Sequence, residues 1–232
     1  MNIITIDPSL NCTAVIVNDK KFIYARDDYV YGKKGKMSKW FELCQPFIEY
    51  KIIDYPSYKD HSTNELSKLL KYDQVTTNII NDVKHYSNKN EDYIIGIEGY
   101  SYSSQAGPLI DLVTISTLLR IKLYNLISSN IHIYQPSVLK KEACKLTYEP
   151  IQIGKKVIKY EYRNHEGVAG GSFKKHEMFK CLIENDRLQC EWVNFIREVA
   201  DDCLSQKNIP KPIEDMNDAK LFYEVLKKSL TS

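Results

Sequence analysis

The first 25 residues hold three short apolar runs separated by turn residues, and no other stretch restricts the folding of this chain as tightly. Asn2 to Ile6 reads as a buried strand and Thr13 to Val17 as a second, while Lys21 to Ala25 alternates polar and apolar residues as a half-exposed third. The link Asn18-Asp19-Lys20-Lys21 suits a hairpin. From Ser62 the period becomes that of a helix. Leu66, Leu69, Leu70, Ile79, Ile80 and Val83 mark one face, Ser62 or Thr63 serves as the cap, and Glu65 falls in the first turn. Tyr93 to Glu98 reads as a buried strand, Gly107 to Ile127 as a long apolar helix, and Ile131 to Tyr134 as a further strand. Strands alternating with helices after an antiparallel opening predict an α/β fold, a mixed β-sheet flanked by helices.

Residues 26–59 show no clear period and read as irregular, with Ile48 to Ile53 as a candidate edge strand. A short helix through Val138, Leu139 and Ala143 follows Gln135-Pro136-Ser137. Pro150 to Arg163 alternates around Gly154-Lys155-Lys156 as a basic hairpin, and Gly167 to Gly171 reads as a flexible stretch. Helical stripes then run through Met178, Phe179, Leu182 and Ile183, and through Trp192, Phe195, Ile196, Val199 and Cys203. Pro210 and Pro212 break the chain before a last helix from about Met216 to Leu230, with Ala219, Phe222, Val225, Leu226 and Leu230 facing inward.

A length of 232 residues fits one core-forming domain better than two. With 43% hydrophobic and 27% charged residues the chain reads as soluble, and no run approaches the roughly 18 apolar residues of a membrane span. Met1 to Ile6 leads directly into Asp7 without the pattern of a signal peptide. Six cysteines form no CxxC pair and lack histidines at zinc spacing, so reduced thiols in an intracellular compartment are expected.

A net charge of +2 does not announce a nucleic-acid partner, but the charge is uneven. Lys140, Lys141, Lys145, Lys155, Lys156, Lys159, Arg163, Lys174, Lys175 and Lys180 crowd the third quarter. Such a run suits a surface facing a phosphate polymer, and equally a solvated face of a lysine-rich protein. Acids are placed more pointedly. Asp7 ends the first strand, Glu98 ends the strand from Tyr93, and Asp215 and Asp218 lie three apart near the start of the last helix. In a partly parallel sheet functional groups collect at strand carboxyl ends, and helix positions i and i+3 share a face. Carboxylates gathered in this way repel one another, and a hard, oxygen-seeking cation such as Mg²⁺ relieves the repulsion. Singly, each has a plainer reading: helix cap and first-turn charge for the aspartate pair, a turn residue for Asp7 before Pro8, a solvated carboxylate for Glu98.

Taken together, the motifs have a family pattern. Ile3-Ile4-Thr5-Ile6-Asp7-Pro8-Ser9-Leu10 with Thr13-Ala14 resembles the first motif of RuvC-type Holliday junction resolvases, and Ile95-Gly96-Ile97-Glu98-Gly99-Tyr100 resembles the second. Tyr134-Gln135-Pro136-Ser137-Val138-Leu139-Lys140, Gly170-Gly171-Ser172-Phe173-Lys174-Lys175 and Asp215-Met216-Asn217-Asp218-Ala219 are similar to the segments that follow, in the family order. The resemblance implies an RNase H-like fold, a homodimer, and paired nicks in a four-way DNA junction. It carries catalytic and metal-binding roles to Asp7, Glu98, Asp215 and Asp218, with Mg²⁺ as the ion and Mn²⁺ as a substitute. It implies DNA contact by Tyr100 or Tyr102, although most of the 17 tyrosines must be ordinary packing or surface residues. Lys140, Lys174 and Lys175 are the candidates for phosphate binding, with His176 a weaker one. The chain departs from the family in length, with insertions at about 26–60, 148–165 and 188–212. Two other readings stay open: an RNase H-like nuclease cutting hybrids, flaps or packaging concatemers, and a non-catalytic branched-DNA binding module. The wealth of Asn, Ile, Lys and Tyr points to an AT-rich coding genome, as in a virus, phage or organelle.

Overall fold

The computed structural model describes residues 1–32, 35–54, 58–100, 106–154 and 159–231. In chain order the elements are β1 (Asn2–Asp7), β2 (Cys12–Val17), β3 (Lys20–Arg26), α1 (Asp27–Val30), α2 (Lys39–Cys44), β4 (Glu49–Ile53), α3 (His61–Tyr86), β5 (Tyr93–Glu98) and α4 (Ala106–Leu126). There follow β6 (Ile131–Tyr134), α5 (Pro136–Thr147), β7 (Pro150–Ile153), β8 (Lys159–Tyr162), a 3₁₀ turn (Gly170–Ser172), α6 (Lys175–Ile183), α7 (Glu191–Glu198), α8 (Ala200–Leu204) and α9 (Ile213–Thr231).

Six strands form one sheet in the order β4-β3-β2-β1-β5-β6, with β2 antiparallel to both neighbours and the other pairings parallel. A mixed sheet of this order, flanked by helices, is the α/β architecture expected from the sequence. Strand alternation divides the apolar side chains between two faces. Ile4, Ile6, Ile95 and Ile97 pack beneath α3 and α4. Ile3, Ala14, Ile16 and Ile94 face α5, α6, α7 and α9. β1 is buried along its whole length because it is central and covered on both sides.

The last helix is fixed to this second face at two points. Thr5 Oγ1 donates to the Ala219 carbonyl at 3.0 Å. Gly96 on β5 offers no side chain where α9 crosses: a Cβ there would lie 2.6 Å from Leu226 Cδ1 and 2.8 Å from the Phe222 ring.

Several expectations change. α3 is capped by Asp60, whose carboxylate accepts from Thr63 N at 2.7 Å, and not by Ser62 or Thr63. Its buried face is carried by Tyr72, Val75, Thr76, Ile79, Ile80 and Val83, while Leu66, Leu69 and Leu70 are exposed. Twenty-six residues make a helix of roughly 39 Å, longer than any strand beneath it, so its first turns overhang the sheet. Residues 26–59 are not irregular throughout: besides the edge strand expected near Ile48 to Ile53, which is β4, they form α1 and α2, with Val30, Phe41, Cys44 and Ile48 buried. The stripe from Trp192 to Cys203 is two helices meeting at Val199. Leu230 is exposed, because the end of α9 runs past the core. Gly170, expected in a flexible stretch, is buried against α5. The hairpin predicted over Pro150 to Arg163 is β7–β8, a two-stranded sheet of its own, and Lys155 and Lys156 lie outside the described residues.

Candidate active site

The register Thr5 with Gly96 and Ile6 with Ile97 brings the next residues, Asp7 and Glu98, side by side at the carboxyl ends of two parallel strands, about 4.8 Å apart in the sheet. Alternation turns both toward α9, the side to which Thr5 and Gly96 face. Asp215 and Asp218 come from the first two turns of α9, which begins at Ile213, three residues earlier than the sequence pattern suggests. Asp7, Asp215 and Asp218 are all buried.

The electrostatics join these acids into one cluster. Burial, then the Glu98 carboxyl beside it, then Asp218 push the Asp7 carboxyl well above the usual range, and Asp7 shares a hydrogen bond with Glu98. Glu98 is raised by burial and by Asp218, against that hydrogen bond and the pull of Lys175 and Lys140. Asp215 is pushed up to about 7 by burial, opposed by Lys211 and reinforced by Asp7.

Two lysines answer the acids. Lys175 Nζ contacts Asp218 and lies 3.3 Å from Glu214 Oε1; Lys211 Nζ contacts Asp215 and lies 3.4 Å from the same Glu214 oxygen. The result is an alternating ladder, Asp215–Lys211–Glu214–Lys175–Asp218, along the start of α9. Although desolvation works against them, these carboxylates hold both ammonium groups above their ordinary values. Among the described residues, Asp215 Oδ2 is buried without a hydrogen-bond partner. The Cys12 thiol abuts Asp215 and is pushed up by burial and by that carboxylate, which makes it inert as a nucleophile.

Can the cluster hold a metal ion? Among the described residues no group of three or more His, Cys, Asp or Glu side chains is arranged to hold a metal ion, and lysines contact Asp215 and Asp218. The donor chemistry nevertheless suits a hard cation. Every candidate ligand atom is a carboxylate oxygen, the acids raise one another through like charge, and one buried oxygen is unsatisfied.

The other sequence candidates separate. Lys175 joins the acids directly, and Lys140 on α5 is close enough to draw Glu98 down. Lys174 is exposed just before α6, and His176 faces the Gln206 carbonyl at 3.1 Å. Tyr100 lies against α4, its ring 4.4 Å from the Arg120 guanidinium and its hydroxyl 3.3 Å from Thr117 Oγ1. Tyr102 lies outside the described residues. Sequence reasoning missed Lys211 and Glu214. The spacing of Lys211 four before Asp215 was the available signal, hidden by reading Pro212 as a break.

No protein-family model and no curated protein sequence matches the chain. Among solved structures it is similar to Thermus thermophilus RuvC, at 10% identity over 100% of this chain and 98% of that one, with a TM-score of 0.46. It is also similar to T. thermophilus RuvC in complex with a Holliday junction substrate, at 9% identity over 99% and 96% of the two chains, with a TM-score of 0.41. The likeness is one of fold. Among the described residues no helix is long and apolar enough to cross a membrane.

Proposed function

We propose that the chain is a divalent-metal-dependent endonuclease that cuts branched DNA, four-way junctions foremost, as a homodimer with one acid cluster for each nicked strand. The observation that carries this reading is the convergence of carboxylates from β1, β5 and α9 into one buried cluster whose members raise one another. A pure binding module would gain only repulsion from DNA phosphate by keeping them. Asp7, Glu98, Asp215 and Asp218 are the ligands in this proposal. Mg²⁺, or Mn²⁺ in its place, would be held by these carboxylates and would supply a polarised water and charge neutralisation at the phosphate. The chain's own part is to hold the carboxylates on two strands and a helix, and to set the charges of Lys140 and Lys175 beside the scissile phosphate. Hydrolysis leaves a 5′-phosphate and a 3′-hydroxyl. Tyr100, on the loop after Glu98, is the aromatic candidate for base contact.

The test compares four-way junction, flap, linear duplex and RNA–DNA hybrid substrates with and without chelator, using the wild-type chain, Asp7→Asn and Glu98→Gln. Junction cleavage that needs the divalent ion and vanishes in both variants is the expected result. Preferential cutting of the hybrid would overturn the substrate, and cleavage surviving Asp7→Asn would overturn the site.

A further inference from the structure

A concavity lies apart from the four acids, and one of its elements, α5, also carries Lys140. α5, the β7–β8 hairpin and the Gly170–Ser172 turn enclose a groove of about 430 Å³ lined by Lys141, Lys145, Lys159, Tyr160, Tyr162 and the backbone of Gly170 and Gly171. Lys141 and Lys145 are one helical turn apart on α5 and share a face. Lys159, at the start of β8, also lines the groove. The acid at the rim, Glu161, is engaged by Arg163 at 2.7 Å, and Lys145 is paired with Glu142 at 2.7 Å, which leaves Lys141 and Lys159 as the cations best placed to meet a ligand. Tyr162 carries Lys145 over its ring at 5.5 Å, whereas Tyr160 is 62% exposed.

The floor of the groove is built closely. A Cβ at Gly170 would lie 2.9 Å from Lys141 Cα and 3.0 Å from Cys144 Cβ, so the turn and helix meet backbone to backbone. A Cβ at Gly171 would meet nothing within 4 Å, so the backbone there borders open space. The groove also shares its elements with the acid cluster. Lys140, next to Lys141, draws on Glu98, and Lys175, four residues beyond Gly171, contacts Asp218.

From this arrangement we infer that the groove seats one nucleotide of an unpaired DNA strand leaving the branch point, its phosphate between Lys141 and Lys159 and its base stacked on Tyr160. Cations facing a stacking ring are how single strands are held without regard to sequence. The volume stands near the low end of small-ligand pockets, enough for a nucleotide and too small for a duplex. The inference rests on the nuclease reading for its choice of DNA.

The experiment is fluorescence anisotropy of the full chain in chelator, with a junction bearing a single-stranded arm and with a fully paired duplex. Tyr160→Ala is expected to weaken binding to the armed junction roughly 5- to 100-fold and to duplex less than about 2-fold. Lys141→Ala with Lys159→Ala should flatten the salt dependence on the armed junction by up to about 1.4 in log–log slope. Unchanged affinity in Tyr160→Ala overturns the inference, as does equal loss on both DNAs. Tyr160 is exposed, so a melting temperature matching wild type confirms folding in each case. Junction cleavage by the wild-type chain with Mg²⁺ is read in parallel. Cutting without any Tyr160 effect sinks the groove alone, whereas Tyr160-dependent strand binding without cutting sinks the nuclease and upholds the groove.

Discussion

Replacing Gly96 with alanine tests whether the seating of α9 on the sheet sets the geometry of the acids. The added methyl would lie 2.6 Å from Leu226 Cδ1 and 2.8 Å from Phe222 Cε2 and Cζ. Carbon atoms ordinarily meet at about 3.5–4.0 Å, so something must retreat by roughly 1 Å. Neither neighbour yields freely: both are fully buried, and the Phe222 ring is braced edge-on against Tyr134 at 5.2 Å. Overpacking of this kind costs about 1–3 kcal/mol. A glycine-to-alanine change also narrows the unfolded ensemble and returns about 0.4–1 kcal/mol, so the net loss runs from near zero to about 2.6 kcal/mol. Asp218 and Asp215 lie four and seven residues before Phe222 on the same helix, so lifting α9 shifts them against Asp7 and Glu98. Misplacement by about 1 Å can cost roughly 100-fold in rate. Urea unfolding reads the first effect and single-turnover junction cleavage the second. Stability within about 0.3 kcal/mol of wild type and a rate within two-fold would refute the argument; lost stability with an unchanged rate would show that α9 tolerates displacement without disturbing the acids.

Three further outcomes follow from the same geometry. Asp7, Glu98 and Asp215 titrate above their unfolded values, so the stability they contribute is present below about pH 4 and is lost as pH rises through the folded values, about 7 for Asp215. Metal-free chain should therefore lose thermal stability from this cluster between pH 5 and 8, and Mn²⁺ should restore it at pH 8; a melting temperature that climbs over that range without metal contradicts the cluster. Lys211→Met removes the cation that holds Asp215 down, so carboxyl-carbon NMR should place the Asp215 midpoint above about 7, and an unchanged midpoint would mean that Lys211 does not act on it. Thr5→Val removes the bond to the Ala219 carbonyl and should cost about 1 kcal/mol in urea unfolding, with no loss expected if α9 is seated by its apolar face alone.

The strand and helix positions that place the candidate site were legible in the sequence. Asp7 and Glu98 each close a short apolar run, and that pattern gives both the strand and the end at which the acid emerges. The spacing of Asp215 and Asp218 needed only helical geometry. What escaped depends on partners distant in sequence. Leu66, Leu69 and Leu70 fall on the right helical period, but period does not tell how far the sheet extends beneath a long helix. Gly170 reads as freedom when taken alone; in the structure its missing side chain admits the backbone of α5. Helices α1 and α2, of four and six residues, are too short to display a period. Lys211 was obscured by the proline that follows it, although that proline lies just before a helix.

Thr5 and Ala219 stand 214 residues apart, yet they join the first strand to the last helix. Closing a loop of that length costs about 5 kcal/mol of chain entropy before any contact across it forms. During synthesis Asp7 and Glu98 emerge long before Asp215 and Asp218, so the nascent polypeptide carries an incomplete set of acids until residue 218 has cleared the ribosome. Prematurely terminated products that stop short of α9 keep Asp7 and Glu98 but lose both aspartates of the helix and the Thr5–Ala219 tie that seats it.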